Sequence, residues 1–367
     1  MSDHFEVTIN SSIRYFEEFH AEWDQLVRKS SSNTIFLAAG WLQAWLETIG
    51  RNENVLITQV RRNGNLLGAA AFQERDGIIE FAGKGPSDYS DFIVLNELEN
   101  DLIYKVVEKI LNATREASKN FRHFFLGRIS TDGKTLHYMP ERNSKLYSTL
   151  CRGVVAPTME MYAAEKKLRK KSLRRNEQGL KRMGKLVDRT YSRAVDILPL
   201  LESFFEQHMH RWSNTQSPSL FLKKENREFY RKVTTYLDTT GWLRFTVLKL
   251  DDCMIAAHFG FLHAGRFIWY KPTFDVKIAK LSPGEVLLKR LIEQAQLEKA
   301  SEFDFTIGGE AFKFRFATKI RHMVYVYITD SWFLAALRRT RVFLSKRLRK
   351  DKSPHIWKNN NSKASLS

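Results

Sequence analysis

Residues 242–271 read WLRFTVLKLDDCMIAAHFGFLHAGRFIWYK. The first nine are rich in β-branched and apolar side chains and predict a strand, closed by an Asp251-Asp252 turn. Residues 253–262 are almost wholly apolar, the composition of a strand buried on both faces. His263-Ala264-Gly265 turns the chain again, and residues 266–271 (RFIWYK) predict a third strand, stopped by Pro272. The stretch is a three-stranded meander.

A near copy lies earlier. Residues 54–60 (NVLITQV) predict a strand, Asn63-Gly64 is a strong hairpin turn, 65–73 (NLLGAAAFQ) predict a buried second strand and 77–81 (GIIEF) a third. Leu67-Gly68-Ala69 aligns with Ile255-Ala256-Ala257 at a separation of 188 residues. The flanks repeat as well. Phe16, Phe19, Trp23 and Leu26, then Trp41, Leu42, Trp45, Leu46 and Ile49, give two amphipathic helices before the first meander. Leu198, Leu201, Phe204, Phe205, His208 and Trp212 give one helix before the second, and residues 225–239 give another. A helix follows each meander (98–118 and 284–299), and then a short strand (121–126 and 303–305). The pattern predicts an α/β (α+β) chain duplicated in tandem, with mixed, mostly antiparallel sheets flanked by helices. Its parts are an N-terminal unit at 1–160, a basic helical linker at 161–192, a C-terminal unit at 193–330, and a basic amphipathic helix with a disordered tail at 331–367.

Charge marks the same boundaries. The net charge of +18 resides in two segments: residues 166–193 carry twelve Lys/Arg against two acids, and residues 331–367 carry ten against Asp351. The remainder is close to neutral, so the basicity is local and fits contact with phosphates of lipid, nucleotide or RNA. The linker is either a solvated face or a grip on phosphate. The tail, with Phe333, Leu337, Leu344 and Leu348 between Arg and Lys, is either a docked helix or one lying in anionic headgroups over residues 331–352. At 43% hydrophobic residues the chain has ample core, and no apolar stretch reaches the ~20 residues of a membrane span. Residues 1–10 lack a signal-peptide pattern, and two cysteines, Cys151 and Cys253, exclude a disulfide framework. These features fit a cytoplasmic protein, with peripheral attachment to the inner membrane face open. No His/Asp/Glu set has metal-ligand spacing, so no metal is expected.

An ordered set of motifs follows the duplication. Phe36 precedes Trp41-Leu42-x-x-Trp45, and then comes Gly83-x-Gly85-Pro86-Ser87-Asp88-Tyr89-x-Asp91-Phe92. After the basic linker come Phe204-Phe205-x-x-His208-x-x-x-Trp212 and Ser282-Pro283-Gly284-x-x-Leu287-Leu288. The last is Asp304-Phe305-x-x-Gly308-Gly309-Glu310-x-Phe312-Lys313-x-x-Phe316. Over residues 10–330 this succession resembles the FemAB-like, CelD-type GNAT acetyltransferases associated with bacterial cellulose and exopolysaccharide synthesis. The resemblance implies two tandem GNAT-like units. It also implies transfer of an acyl group from acyl-CoA, usually acetyl-CoA as co-substrate, to an amine or hydroxyl of a sugar or polysaccharide precursor. FemAB relatives instead take an aminoacyl group from tRNA. A non-catalytic scaffold docked on a membrane-bound polysaccharide synthase is a third reading.

In a GNAT unit the donor's arm lies beside a splayed strand, and a helix N-terminus receives its diphosphate. Here that strand is 266–271, with Trp269 and Lys271 beside the donor, and the helix start is Ser282, Gly284 and Glu285, with Ser282 able to cap. The usual loop exposes several glycine amides, whereas this chain has only Gly284. His258 alternates with Ala256 and Gly260, so it is either a core histidine or a base facing a cleft. Tyr270 is either a strand aromatic or a proton donor to the leaving thiolate. Asp88 and Asp91 are turn residues or catalytic acids and bases, with Tyr89 beside them for the acceptor. Glu310 and Lys313 contact substrate or pair with each other.

Overall fold

The computed structural model describes residues 4–139, 145–213, 215, 216 and 218–349. The first half supplies β1 (Phe5–Asn10), β2 (Asn54–Arg62), β3 (Asn65–Arg75), β4 (Ile78–Phe81), β5 (Ile93–Val94), β6 (His123–Ser130) and β7 (Tyr147–Glu160). The second supplies β8 (Leu186–Tyr191), β9 (Leu243–Leu250), β10 (Cys253–His263), β11 (Arg266–Phe274), β12 (Glu302–Asp304) and β13 (Lys319–Thr329). All join one sheet in the order β1-β2-β3-β4-β6-β13-β7-β12-β11-β10-β9-β8, with β5 paired to β3. Among the described residues only β4 with β6 and β11 with β12 run parallel. The fold is a mixed α/β one with a large, mostly antiparallel sheet flanked by helices.

The duplication is visible residue by residue. Asn65 and Cys253, which open β3 and β10, stand 188 residues apart, as do Arg75 and His263, which close them. Each meander ends in a strand that pairs in parallel with the strand after the next long helix, Asn100–Ala117 or Pro283–Leu297. The two units then exchange strands. β7 follows β6 in the chain but lies between β12 and β13, and β13 returns to pair with β6. One sheet therefore runs through both halves.

Burial follows from this arrangement. On one face, helices Ile13–Lys29, Ala39–Glu47, Leu201–Trp212 and Lys224–Tyr236 share a single core, where the Trp41 ring meets Phe229 edge-on at 5.0 Å. On the other face each half keeps its own core, under helix Asn100–Ala117 in the first and under Pro283–Leu297 in the second. Strands β3 and β10 are therefore covered on both faces, which is why their sequences are nearly continuous in apolar residues.

The basic segment 161–192 holds two helices, Ala164–Leu168 and Lys171–Lys181, and then edge strand β8. Leu173 and Leu180 are buried against the second-half core. Buried Glu177 takes Lys181, Lys289 and Arg290 as ion-pair partners. Strand β11 does not stop at Pro272 but continues to Phe274. Pro272 lies where β12 has already left β11, so that edge has no ladder for it to interrupt. Helix Trp332–Arg349 packs on β7 and β13, with Ala335 buried. The expected disordered end beyond it lies outside the described residues. No helix among them is long and apolar enough to cross a membrane.

Candidate functional site

Two local devices open the sheet at β11. The first is on the β12 side. Parallel pairing covers Arg266, Phe267 and Ile268 against Glu302, Phe303 and Asp304, and ends there. The Asp304 carboxylate then accepts the Thr306 amide at 2.8 Å, and Thr306 takes a left-handed φ of 56°. The Phe305 and Gly308 amides stay on β7, donating to Pro157 and Val155. The chain thus turns away from β11 and a wedge opens between the two.

The second device is a bulge on the β10 side. The register shifts so that Trp269 and Tyr270 together face Gly260. The freed Tyr270 amide donates to His258 Nε2 at 3.1 Å. The imidazole lies over Gly260 and stacks on Trp269 at 5.0 Å, in space that a Cβ at Gly260 would fill. His258 is fully buried, and burial pushes its pKa down to about 3. It does not open into the cleft; it fills the bulge.

The wedge widens into a cavity of about 690 Å³. Trp269, Tyr270 and Lys271 form its floor, and helix Leu201–Trp212 supplies His208, Arg211 and Trp212. Ser282, Gly284 and Glu285 lie at one end, Glu310 and Lys313 on the wall after β12, and Asp88 reaches in from the first half. Nine of the twelve residues singled out from sequence therefore line one space. Of the other three, His258 and Tyr89 support it from behind, through the Tyr270 amide and Asp304, and Asp91 lies apart from it beside Ser32 and Thr135.

Charge in the cavity is mixed. Lys313 is 4% exposed, and its ammonium donates to the Ile307 carbonyl at 2.8 Å and pairs with Glu310 at 3.0 Å. The Lys271 ammonium sits 3.8 Å from the centre of the Tyr270 ring; burial lowers its pKa. Arg211 donates to the Pro272 carbonyl at 2.9 Å and covers Phe274, and burial brings its pKa down to about 10. His208 meets Ser219 Oγ at 2.7 Å, with its pKa pushed down to about 3 by burial. Asp88 is 6% exposed, with Arg128 at 4.0 Å.

The Tyr270 hydroxyl donates to the Pro86 carbonyl and accepts from Tyr230 at 3.0 Å. Its hydrogen thus holds the loop that carries Asp88. Burial raises its pKa well above the ordinary range, so the phenol stays protonated. Tyr89 turns away from the cavity and donates to Asp304 at 2.6 Å; Asp304 also takes Arg321 at 3.0 Å. Asp91 is enclosed by Ser32, Thr135 and the Phe92 amide, and burial raises its pKa to about 6.

At the helix start, Ser282 makes no side-chain cap. It holds a left-handed φ of 50° and its amide donates to Ala279. Pro283 has no N–H, and the Glu285 and Val286 amides return to the Ser282 carbonyl. Gly284 is the one amide of that first turn without a backbone partner among the described residues. Glu285 pairs with Arg315.

Sequence reasoning attached no role to Arg128, Arg211, Tyr230 or Ile307. His208 and Trp212 do carry a signal, since their four-residue spacing continues the Phe204 face of the helix into the cavity.

Residues 166–314 match the family described as acetyltransferase (GNAT) domain. No curated protein matches this sequence. Among solved structures the chain is similar to the crystal structure of FemX. The identity is 9% and the TM-score 0.61, over 89% of this chain and 98% of that one. It is also similar to the C-terminal domain (DUF2156) assigned to a lysylphosphatidylglycerol synthetase of Agrobacterium fabrum, at 13% identity and TM-score 0.57, over 92% and 97%. A third similarity is to L-PGS from Bacillus licheniformis, at 10% identity and TM-score 0.53, over 90% and 97%. At such identities the likeness is one of fold. The chain therefore carries a GNAT-like acetyltransferase domain at 166–314, inside an architecture of the kind seen in FemX.

Proposed function

We propose that this protein transfers an acetyl or similar acyl group from acyl-CoA to an amine or hydroxyl of a sugar or cell-surface polysaccharide precursor. The observation that carries the reading is the wedge: β11 loses β12 after three paired residues, and the freed edge runs into the cavity. The Thr306 hydroxyl already donates to the Trp269 carbonyl at 3.3 Å, so an extended pantetheine arm would pair beyond it, beside residues 270–274, where Arg211 holds the Pro272 carbonyl. Acyl transfer then needs an acceptor that gives up a proton and a group that bears the oxyanion. In this reading Asp88, which reaches the cavity from the first half, holds the acceptor amine and takes its proton. The Lys271 and Lys313 ammonium groups face the same space and would stabilise the tetrahedral oxyanion. The amine nitrogen bonds to the acyl carbon, the C–S bond breaks, and the proton passes to the thiolate. His258 in this reading holds the bulge and moves no proton.

Titration calorimetry with acetyl-CoA at low salt tests the donor, and thiol release with amino-sugar acceptors tests the transfer. A flat titration counts heavily against the CoA reading.

One feature favours aminoacyl-tRNA as donor instead. The helix start offers a single unpartnered amide, at Gly284, where a diphosphate would draw on several. The basic helix Lys171–Lys181 lies beside that helix, with most of its Lys and Arg exposed. A tRNA gel shift that weakens steeply with salt would support this alternative.

A further inference from the structure

Helix Trp332–Arg349 is built inside out. The side facing the sheet is Ala335, Arg338 and Val342, at three- and four-residue spacing. Arg338 lies there over the rings of Phe125 and Tyr327. The outward side carries the apolar residues: Phe333 is 57% exposed, Leu337 52% and Phe343 61%, with Trp332 at 67% where the helix begins. Arg341 and Arg339 flank this stripe, both exposed, the Arg339 guanidinium also donating to the Ser148 carbonyl of β7 at 3.0 Å, and residues 332–349 contain no acid. Beside the helix, a groove of about 620 Å³ adds Arg75, Lys84 and His123 to Leu334, Arg338 and Arg341. Its acids are Asp76 and Glu80; Glu80 is paired with Lys84 and Arg75 with Glu53, which leaves Arg338 and Arg341 as the groove's guanidinium groups for an anion.

A helix that turns apolar side chains outward gains nothing from water. It gains when that face enters the acyl boundary of a bilayer while flanking arginines meet lipid phosphates. The charge is of one sign along the helix, which fits an anionic surface and opposes stacking of one copy on another. We propose that this helix and its groove are a docking surface for an anionic membrane, with the outward stripe in the headgroup layer and the groove receiving a lipid phosphate. The inference stands independently of the acyl donor.

Cosedimentation with vesicles tests it. The full chain is expected to pellet with phosphatidylglycerol–phosphatidylcholine vesicles at low salt and to stay in solution with phosphatidylcholine alone. F333S/L337S and R341E are each expected to weaken binding at least about tenfold, with unchanged circular dichroism melts. F333S/L337S leaves the basic residues beyond 349 untouched, so binding by those residues alone would leave that variant at parental affinity. That result would overturn the proposal, as would a parent chain that ignores anionic vesicles. A dimer in light scattering that F333S/L337S dissolves would overturn it in favour of self-association.

Discussion

Replacing Tyr270 by Phe removes one hydroxyl that is hydrogen-bonded to protein on both sides. Tyr270 is 4% exposed, and its hydroxyl serves Pro86 and Tyr230 at once. The ring keeps its contacts with Phe36, Trp41 and Phe261 in the variant, so the loss is that of two hydrogen bonds. Each buried partner left unsatisfied costs ~1–3 kcal/mol, which gives a loss of about 2–6 kcal/mol for the pair. In a chain of 367 residues that lowers the melting temperature by roughly 3–8 °C. Tyr230→Phe provides the internal scale. It removes only the bond between the two phenols and is expected to cost about half as much. Differential scanning calorimetry at neutral pH measures both. Pro86 belongs to the loop that presents Asp88, so the Tyr270 variant is also expected to bind acceptor more weakly. A Tyr270→Phe protein that melts within about 1 °C of the parent while losing turnover would refute the reasoning. The hydroxyl would then act on substrate, and its contact with Pro86 would be incidental.

Three further outcomes test the scaffold. Burial alone would raise the Glu177 pKa, but Lys289 at 2.5 Å, Lys181 at 2.9 Å and Arg290 overcome it and hold it down to about 2. Glu177→Gln is expected to lose ~2 kcal/mol in urea at pH 7, the full shift being reduced for solvent screening. Because the folded pKa is depressed, that stability is present above the unfolded value of 4.5 and disappears as pH falls through about 2; a parent–variant gap that persists at pH 2 would contradict it. Gly260→Ala puts a Cβ where the His258 imidazole lies, and is expected to cost roughly 3 kcal/mol and abolish donor binding in the titration; normal binding would show that the bulge is dispensable. Asp304→Ala strips Tyr89, the Thr306 amide and Arg321 of their shared acceptor, for an expected loss of ~3–5 kcal/mol, and an unchanged melt would remove Asp304 from the account of the wedge.

The legible parts of the sequence were those in which local pattern and burial agree. β10 is apolar throughout because both of its faces are covered, and Asn63-Gly64 and Asp251-Asp252 mark turns that the backbone needs. β7 was not legible, although it is one of the two central strands. It contains Pro157 and Gly153, and Gly153 is required because a Cβ there would strike the Met323 carbonyl at the register shift with β13. Breakers that disqualify a strand in sequence are here its means of bending. β8 reads as a continuation of the basic helix because Leu186 keeps the spacing of Leu180 and Met183; the helix stops at Lys181, capped by Arg182, and pairing with β9 makes the rest a strand. Within the site, the cavity residues of β11 and the wall after β12 could be gathered from motif order. The orientation of His258 could not, since a bulge changes which way successive side chains point and shows only in the register.

The same register explains why two similar units give one cleft. In the first half, β4 pairs with β6 at only two positions, so a wedge between them is built there as well. It is occupied by the protein itself. The Ser90 amide donates to the Arg128 carbonyl at 3.1 Å, the Arg128 guanidinium donates to the Ser87 carbonyl, and the space left beside them is only about 90 Å³. Arg128 takes a left-handed φ of 63° in making this closure. The loop that fills the first wedge also offers Pro86 to Tyr270 and Asp88 to the second cavity. One copy has therefore lost its own slot and become a wall of the other's. On the proposed function, the second half alone would keep the open edge of β11 but lack Asp88 and the anchor for Tyr270, so its chemistry would depend on the first half through contact and not merely through connection.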